Sequence, residues 1–221
     1  MVFWGCLWVW NMNYFKYDNT ATDYLTNACP VLGDYIKQIG PLQRQTNPDI
    51  FESLIDSIVG QQISSVAAAT VFGRLKELVG KIEPSSIHNL SKEDIQKCGM
   101  SMRKAQYIKG VAQAVVTEHI KIDQLHKMQD AQIIKLLCEL NGIGKWTAQM
   151  LLIFSFNRMD IISYDDLAIK RGLKILYNLE EISLKDFKTY AQKYSPYASV
   201  ASLYLWQASS ERTQYAKRTY G

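Results

Sequence analysis

The residues best suited to chemistry are two adjacent acids, Asp165 and Asp166, and a glycine-rich turn, Gly142-Ile143-Gly144, whose last glycine lies 22 residues before Asp166. Two glycines give such a turn its backbone freedom. A turn just before a helix leaves backbone N–H groups unpaired at the positive end of the helix dipole, which is a site for an anion such as phosphate. A carboxylate nearby can serve chemistry. The pair predicts an enzyme that acts on a phosphate-bearing polymer.

Helical spacing of apolar residues surrounds the turn on both sides. It predicts one helix over 129–140 and a second over 145–156. The acid pair then stands at the start of a third predicted helix, which runs to Tyr177. Helix, tight turn and helix therefore form a hairpin, and the next helix along the chain carries the acids.

The segment LNGIGKWTA at 140–148, followed at this distance by the acid pair, resembles the helix-hairpin-helix DNA glycosylases, and within them the 3-methyladenine DNA glycosylase II group. Further blocks are similar to that family: IVGQQIS at 58–64, SMRKA at 101–105, and YASVA with YLW within 197–206. The resemblance spans roughly residues 21–210.

The resemblance implies a monofunctional DNA glycosylase that excises alkylated purines, such as 3-methyladenine, from duplex DNA in base excision repair. Such an enzyme hydrolyses the N-glycosidic bond. Two alternatives stay open: a glycosylase for deaminated or oxidised purines, and a non-catalytic hairpin protein that only binds DNA. The placed acid Asp166 disfavours the second alternative.

Asp166 matches the family's catalytic carboxylate, which stabilises the positively charged sugar and orients the attacking water. Asp165 is then expected to cap the following helix. From the residues alone, both acids could be mere helix caps, because acids are favoured in a first turn.

The resemblance also implies that the strand is left uncut. In related bifunctional glycosylases, a lysine in the second place after the hairpin's last glycine forms a Schiff base with the sugar. Here that place holds Trp146, and Lys145 holds the first place. We therefore expect water as the nucleophile, with Lys145 touching phosphate, although a solvated surface lysine would have the same sequence.

Trp146, Trp206 and Met150 are expected to line the base pocket. Electron-rich rings attract a cationic base by cation–π and stacking interactions, worth roughly 1–3 kcal/mol. Either tryptophan could instead be a core residue. Met150 and Ala198 depart from the family pattern, where an aromatic residue and an arginine are found, so the breadth of substrates stays open.

The expected DNA contacts come from the hairpin and from the block at 58–64. A base extruded from a duplex leaves a gap that a side chain must fill, and Gln62 is expected to fill it from an exposed junction of two helices. The full set of expected DNA-binding residues is Gln61, Gln62, Gly142, Gly144, Lys145 and Thr147.

The backbone carbonyls of Cys138, Leu140 and Ile143 match positions where relatives bind a monovalent cation, Na⁺ or K⁺, that bridges to DNA phosphate. No other cofactor is implied. No cysteine cluster follows residue 138, so the iron–sulfur cluster of some superfamily members is not expected. The side chain of Cys138 is expected in the core.

Composition sets the remaining bounds. The 221 residues are 48% hydrophobic and 21% charged, as in a globular protein. A net charge of +4 is compatible with nucleic acid as a partner. The four cysteines lack metal-binding spacing and suit a reducing compartment. We expect a monomer without membrane association, in the cytoplasm and on the nucleoid of a bacterium, or in a eukaryotic nucleus.

The predicted fold is all-α, with strand pattern only in the first few residues. The resemblance implies two helical lobes with a cleft between them, one over about 49–160 and the other over 21–48 plus 161–210. Residues 211–221 are expected as a polar, frayed tail. Residues 1–20 are an uncertain N-terminal segment, whose tryptophan-rich start favours a strand or packing segment and is too short to span a membrane.

Overall fold

The computed structural model describes the backbone of residues 13–220 and side chains up to residue 211. The expectation of a packing segment at the tryptophan-rich start lies outside the described residues. The helices of the described part are α1 Asn19–Ala28, α2 Pro30–Ile39, α3 Ile50–Gly60, α4 Ser65–Val79, α5 Pro84–Asn89, α6 Lys92–Lys97, α7 Met102–Val116, α8 Ile122–Leu125, α9 Asp130–Leu137, α10 Lys145–Phe154, α11 Leu167–Leu176, α12 Leu184–Tyr194 and α13 Ala198–Tyr220. The prediction of an all-α fold is confirmed.

Two short strands accompany the helices. β1, Asn13–Tyr14, pairs antiparallel with β2, Gln45–Thr46. The expectation that strand structure is confined to the first few residues is therefore wrong for β2. A pair of two-residue strands is too short to show an alternating pattern in sequence. It fixes the loop between α2 and α3, which forms one wall of the cavity described below.

Polar side chains define where several helices begin. Asp49, Ser91 and Ser183 each accept a hydrogen bond from the backbone N–H three residues ahead, at the starts of α3, α6 and α12. Such caps satisfy N–H groups that a helix start otherwise leaves unpaired. The starts of these helices are therefore set by local sequence.

The helices pack in two groups. α1, α2, α11, α12 and α13 contact one another, and α3 to α7 form a second set in which α7 touches α3, α5 and α6. The hairpin helices α9 and α10 contact each other, and α10 also packs against α3. The residue boundaries of the two lobes stay a prediction. None of the described helices is both long and apolar enough to cross a bilayer.

Two sequence expectations differ from the structure. Cys138 is exposed rather than buried, because it lies just past the end of α9, off the face on which Ile133, Leu137 and Leu140 are buried. The stretch after residue 210 continues α13 to Tyr220 rather than fraying. No glycine or proline interrupts 198–220, so nothing in the local sequence stops the helix. Glu211 also accepts hydrogen bonds from Tyr35 and Gln207.

The crossing of α11 and α13 depends on Gly172. A Cβ at that position would lie 2.8 Å from the carbonyl carbon and 2.9 Å from the Cα of Leu205, both backbone atoms. We predict that Gly172→Ala destabilises the fold by about 1–3 kcal/mol through overpacking. The matched control is Gly73→Ala on α4, where a Cβ would meet nothing within 4 Å, and which should be neutral or stabilising. Urea unfolding measures both, and equal midpoints for the two variants would contradict the close crossing.

Candidate active site at the hairpin and the adjoining cavity

Asp166 is a buried carboxylate at the start of α11, with 6% of its surface exposed. Its Oδ1 accepts hydrogen bonds from the backbone N–H groups of Ala168 and Ile169, at 2.8 and 2.9 Å. Its Oδ2 accepts from the indole N–H groups of Trp146 and Trp206, at 2.9 and 3.2 Å. All four partners are donors, so they suit the ionised carboxylate and offer no acceptor to a proton on either oxygen.

Asp166 is thus the N-cap of α11, and the expectation that Asp165 caps this helix is wrong. Asp165 is exposed. The reason is geometric, since a cap accepts from N–H groups two or three residues ahead and α11 begins at Leu167. Helix cap and candidate catalytic group are one carboxylate, so these two interpretations do not exclude each other.

Aromatic rings from two helices surround Oδ2 of Asp166. Trp146, on α10, is 46% exposed even though its N–H is bonded to the carboxylate. Trp206, on α13, stacks on Phe154 of α10, with ring centroids 5.6 Å apart and planes at 27°. The carboxylate therefore joins α10, α11 and α13 at one point.

An open cavity of about 830 Å³ lies beside Trp146. Small-molecule sites typically measure about 300–1,000 Å³. The cavity is lined by residues of the β2 region, α3 with its C-terminal turn, and α10: Gln45, Thr46, Asn47, Ser53, Asp56, Ser57, Gly60, Gln61, Gln62, Trp146, Thr147, Met150, Leu151, Phe154 and Ser155.

Only two of the three predicted base-pocket residues line the cavity. Trp146 and Met150 line the cavity, whereas Trp206 lies behind Phe154 and is not among the lining residues. Sequence analysis missed Phe154 as a pocket residue. The sequence could have indicated it, because Phe154 lies four residues after Met150 and eight after Trp146. This spacing puts all three side chains on one helix face. It also missed Asp56, for which α3 offered no motif.

The turn between α9 and α10 requires glycine at one position only. Gly142 has a φ of +91°, and a Cβ there would lie 2.9 Å from Cγ of the Tyr107 ring. Gly144 has a φ of −96°, which any residue adopts, and a Cβ there would meet nothing within 4 Å. The expectation that both glycines supply backbone freedom is therefore correct for Gly142 alone. No side chain caps α10, so its first N–H groups and the exposed Lys145 are available to an anion.

Gln61 and Gln62 follow α3 and differ in environment. Gln61 is half-buried, and its Nε2 donates to the Gly142 carbonyl at 2.7 Å. Lys104 donates to the carbonyls of Val59 and Gln61 at 2.7 and 2.5 Å, and burial lowers the pKa of its amine. Gln62 is exposed, with an uncommon φ of +60°. The expected exposure therefore holds for Gln62 only, and Gln61 ties the end of α3 to the hairpin.

Thr147 is buried, with 8% of its surface exposed, and it lines the cavity. Its side chain is thus turned away from the outer surface of the hairpin. Its backbone N–H, the third of α10, is the group that Thr147 offers to an anion at the helix start.

The hairpin carbonyls expected to hold a cation fit that role in part. No described group donates a hydrogen bond to the carbonyls of Cys138 and Ile143. The Leu140 carbonyl accepts from the Ile143 N–H at 3.0 Å, which leaves it one lone pair. Carbonyl oxygens suit hard cations. Side-chain clusters of His, Cys, Asp and Glu able to hold a metal are not found in the described part of the chain.

A second cavity, of about 880 Å³, lies between residues 48–51, 81–85 and 115–126. None of the residues expected at the site lines it. No residue of the hairpin turn is among its lining residues, and it has no pair of aromatic side chains comparable to Trp146 and Phe154. The cavity beside Trp146 is therefore the candidate for the reacting base.

Known proteins resemble this chain over most of its length. A DNA-3-methyladenine glycosylase 1 from Schizosaccharomyces pombe is 32% identical over 185 residues, which cover 79% of this chain and 80% of that protein. The crystal structure of a DNA-3-methyladenine glycosidase from Bacillus halodurans superimposes with a TM-score of 0.83 at 34% identity, covering 92% of this chain and 95% of the other.

The S. pombe 3-methyladenine DNA glycosylase in complex with abasic DNA superimposes with a TM-score of 0.74 at 30% identity, over 85% of this chain and 95% of that one. The model of the HhH-GPD superfamily base excision DNA repair proteins matches residues 55–196, a span that runs from α3 through the hairpin to the end of α12. Because this match takes in more than half of the sequence, the chain belongs to the HhH-GPD superfamily of base excision DNA repair proteins.

Proposed function

We propose that the protein is a monofunctional DNA glycosylase that excises alkylated purines of the 3-methyladenine type from duplex DNA by hydrolysing the N-glycosidic bond. The observation that carries the proposal is Asp166, a buried carboxylate with four N–H donors, one of which is the indole of Trp146 in the wall of the cavity. The names of the similar proteins support the choice of base.

Asp166 acts in this proposal as an electrostatic stabiliser. An alkylated purine carries positive charge, so it leaves without protonation, and the difficult part of the reaction is the cationic sugar. A fixed anion beside C1′ stabilises that charge while water attacks. Four hydrogen bonds occupy the lone pairs of both carboxylate oxygens, so a role as proton acceptor is the weaker one.

The hairpin and the end of α3 hold the DNA. The uncapped start of α10 and Lys145 receive a backbone phosphate. The carbonyls of Cys138, Leu140 and Ile143 would hold a monovalent cation, whose positive charge would add to the attraction for phosphate at the hairpin. Gln62 enters the duplex where the damaged base is extruded towards the cavity.

The first experiment tests Asp166 in the reaction itself. We predict that wild type releases 3-methyladenine from methylated duplex DNA, and that Asp166→Asn slows single-turnover release by about 100-fold or more. This variant should also lower the unfolding temperature, because its amide N–H₂ group would face two indole N–H donors. Chromatography identifies the released base, and a duplex-binding titration shows that the variant is folded.

The matched control is Asp165→Asn, which removes an exposed carboxylate beside the site. It should release base at a rate near that of wild type. If the two variants were equally active, Asp166 would have no part in the chemistry, and a loss at Asp165 alone would transfer the role to that residue.

The second experiment asks whether the strand is cut. With Trp146 in place of a Schiff-base lysine, we predict an intact strand that carries an abasic site, which alkali then breaks. Borohydride should trap no covalent complex. Gel electrophoresis of an end-labelled duplex measures both, and a trapped complex would mean that Lys145 or another lysine is the nucleophile.

The third experiment tests the start of α10. Because a side chain fits at Gly144 without contact or backbone strain, Gly144→Asp changes charge rather than packing. We predict that it weakens duplex binding by roughly tenfold, with or without damage in the duplex, through repulsion of phosphate. Gly144→Asn has nearly the same shape and no charge, and should bind like wild type. Equal affinity of the Asp and Asn variants would remove this helix start from the DNA interface.

The same titration examines the other two contacts. Replacing K⁺ by tetramethylammonium at constant ionic strength should weaken binding if the hairpin carbonyls hold a cation, since the larger ion cannot reach them. Gln62→Ala should lower the fluorescence of a 2-aminopurine at the extruded position, which reports unstacking. No change in either measurement would contradict the corresponding contact.

A further inference from the structure

One face of α3 supplies the polar wall of the cavity. Ser53, Asp56, Ser57 and Gly60 line it, at the three- and four-residue spacing that places side chains on one helix face. The facing wall, from α10, presents Trp146, Met150 and Phe154. A flat aromatic ring can therefore stack on one wall while its edge meets the other.

The polar wall offers acceptors. The hydroxyl of Ser53 donates to the Asn47 carbonyl at 3.3 Å, and that of Ser57 donates to the Leu54 carbonyl at 2.8 Å. With these hydrogens committed, both oxygens face an occupant only with lone pairs. Asp56 adds a carboxylate that receives no hydrogen bond or salt bridge from any described residue. An occupant of this wall must supply donors.

The charges around Asp56 come from two helices. Glu52 lies one turn earlier on α3, and Lys76 of α4 forms a salt bridge with Glu52 at 2.9 Å. The β2 region and α10 present no ionisable side chain to the cavity. Asp56 is exposed to solvent. Its partial removal from water at the cavity, followed by the negative charge of Glu52, raises the pKa of its carboxyl, while Lys76 lowers it. The carboxylate thus lacks a counter-charge of its own inside the cavity.

We propose that Asp56 is a specificity-determining residue that accepts a hydrogen bond from the edge of the extruded base and selects cationic damaged purines over neutral ones. The proposal rests on the proposed function, and it deepens that function by naming the group that distinguishes the charged base. Stacking on Trp146 favours a cation as well, but Asp56 adds a directed, charge-assisted hydrogen bond to an N–H of the base.

Asp56 and Asp166 act at different stages of the reaction. When the C1′–N bond breaks, its electron pair goes to the base, which leaves neutral, and the positive charge passes to the sugar, where water adds and releases a proton. The attraction to Asp56 is therefore strongest in the bound substrate and fades as the bond breaks. Asp56→Asn should raise KM for methylated DNA without lowering kcat, the reverse of a change at Asp166.

The unfolding temperature of Asp56→Asn distinguishes a role in binding from a role in packing. A raised pKa means that the folded protein disfavours the ionised form, so ionisation of Asp56 costs stability above that pKa. The cost declines as pH falls below the folded-state pKa and is gone below the pKa of the unfolded state. Asp56→Asn should therefore unfold at the same temperature as wild type or higher at neutral pH. A lower unfolding temperature would mark Asp56 as a packing residue.

The deciding experiment is calorimetric titration with two nucleosides of similar shape, 1-methyladenosine, a cation at neutral pH, and neutral adenosine. We predict that wild type binds the cation about tenfold more tightly and that Asp56→Asn loses this preference. The control is Glu77→Gln, which removes an exposed negative charge on α4 outside the cavity and should keep the preference.

Equal affinity of wild type for the two nucleosides, or no measurable binding of either, would overturn the role of Asp56. A preference retained by Asp56→Asn, or lost in Glu77→Gln, would do the same. Because free nucleosides need no bond cleavage, this result stands apart from base release. Absence of 3-methyladenine release by wild type would instead overturn the proposed function.

Discussion

The arrangement of the site follows from the need to hydrogen-bond one buried negative charge, the carboxylate of Asp166. A carboxylate removed from water is expensive unless hydrogen bonds replace its hydration, and Asp166 is almost fully buried. Its four donors come from three helices: two backbone N–H groups from α11, and one indole N–H each from α10 and α13. Any shift among these helices leaves part of the charge unpaired. The charge therefore holds the three helices in register, and they hold the charge in one orientation.

Two carboxylates, Asp56 in the cavity wall and Asp166 behind Trp146, differ in their hydrogen bonding. Asp166 has all its donors supplied by the protein, whereas Asp56 has none from the described residues. A carboxylate held by protein donors is fixed and can act on charge that develops nearby, while one that the protein leaves to solvent can exchange that solvent for a ligand that brings donors. On the proposed roles, the same type of side chain supports the helix packing in one place and contacts the base in the other.

Sequence predicted what is local and missed what depends on packing. Helices were predictable because apolar spacing and caps such as Asp49 and Ser183 are encoded within a few residues. That both indoles reach one oxygen of Asp166 was not predictable, since Trp206 lies 40 residues away and its direction depends on how α13 crosses α11. The role of Gln61 as a tie was hidden likewise, because its partner is 81 residues distant.

That tie has a geometric consequence. Gln61 donates to the hairpin turn, and Lys104 donates to the carbonyls at the end of α3, so hydrogen bonds connect the turn to the residue that precedes the exposed Gln62. On the proposed function, the turn grips a phosphate and Gln62 enters the stack. The distance from gripped phosphate to opened base step is then set by the protein and cannot vary with DNA sequence. The enzyme would then extrude the base that lies a fixed number of steps from the phosphate bound at the hairpin. To examine the next base, it would have to release that phosphate and bind the neighbouring one.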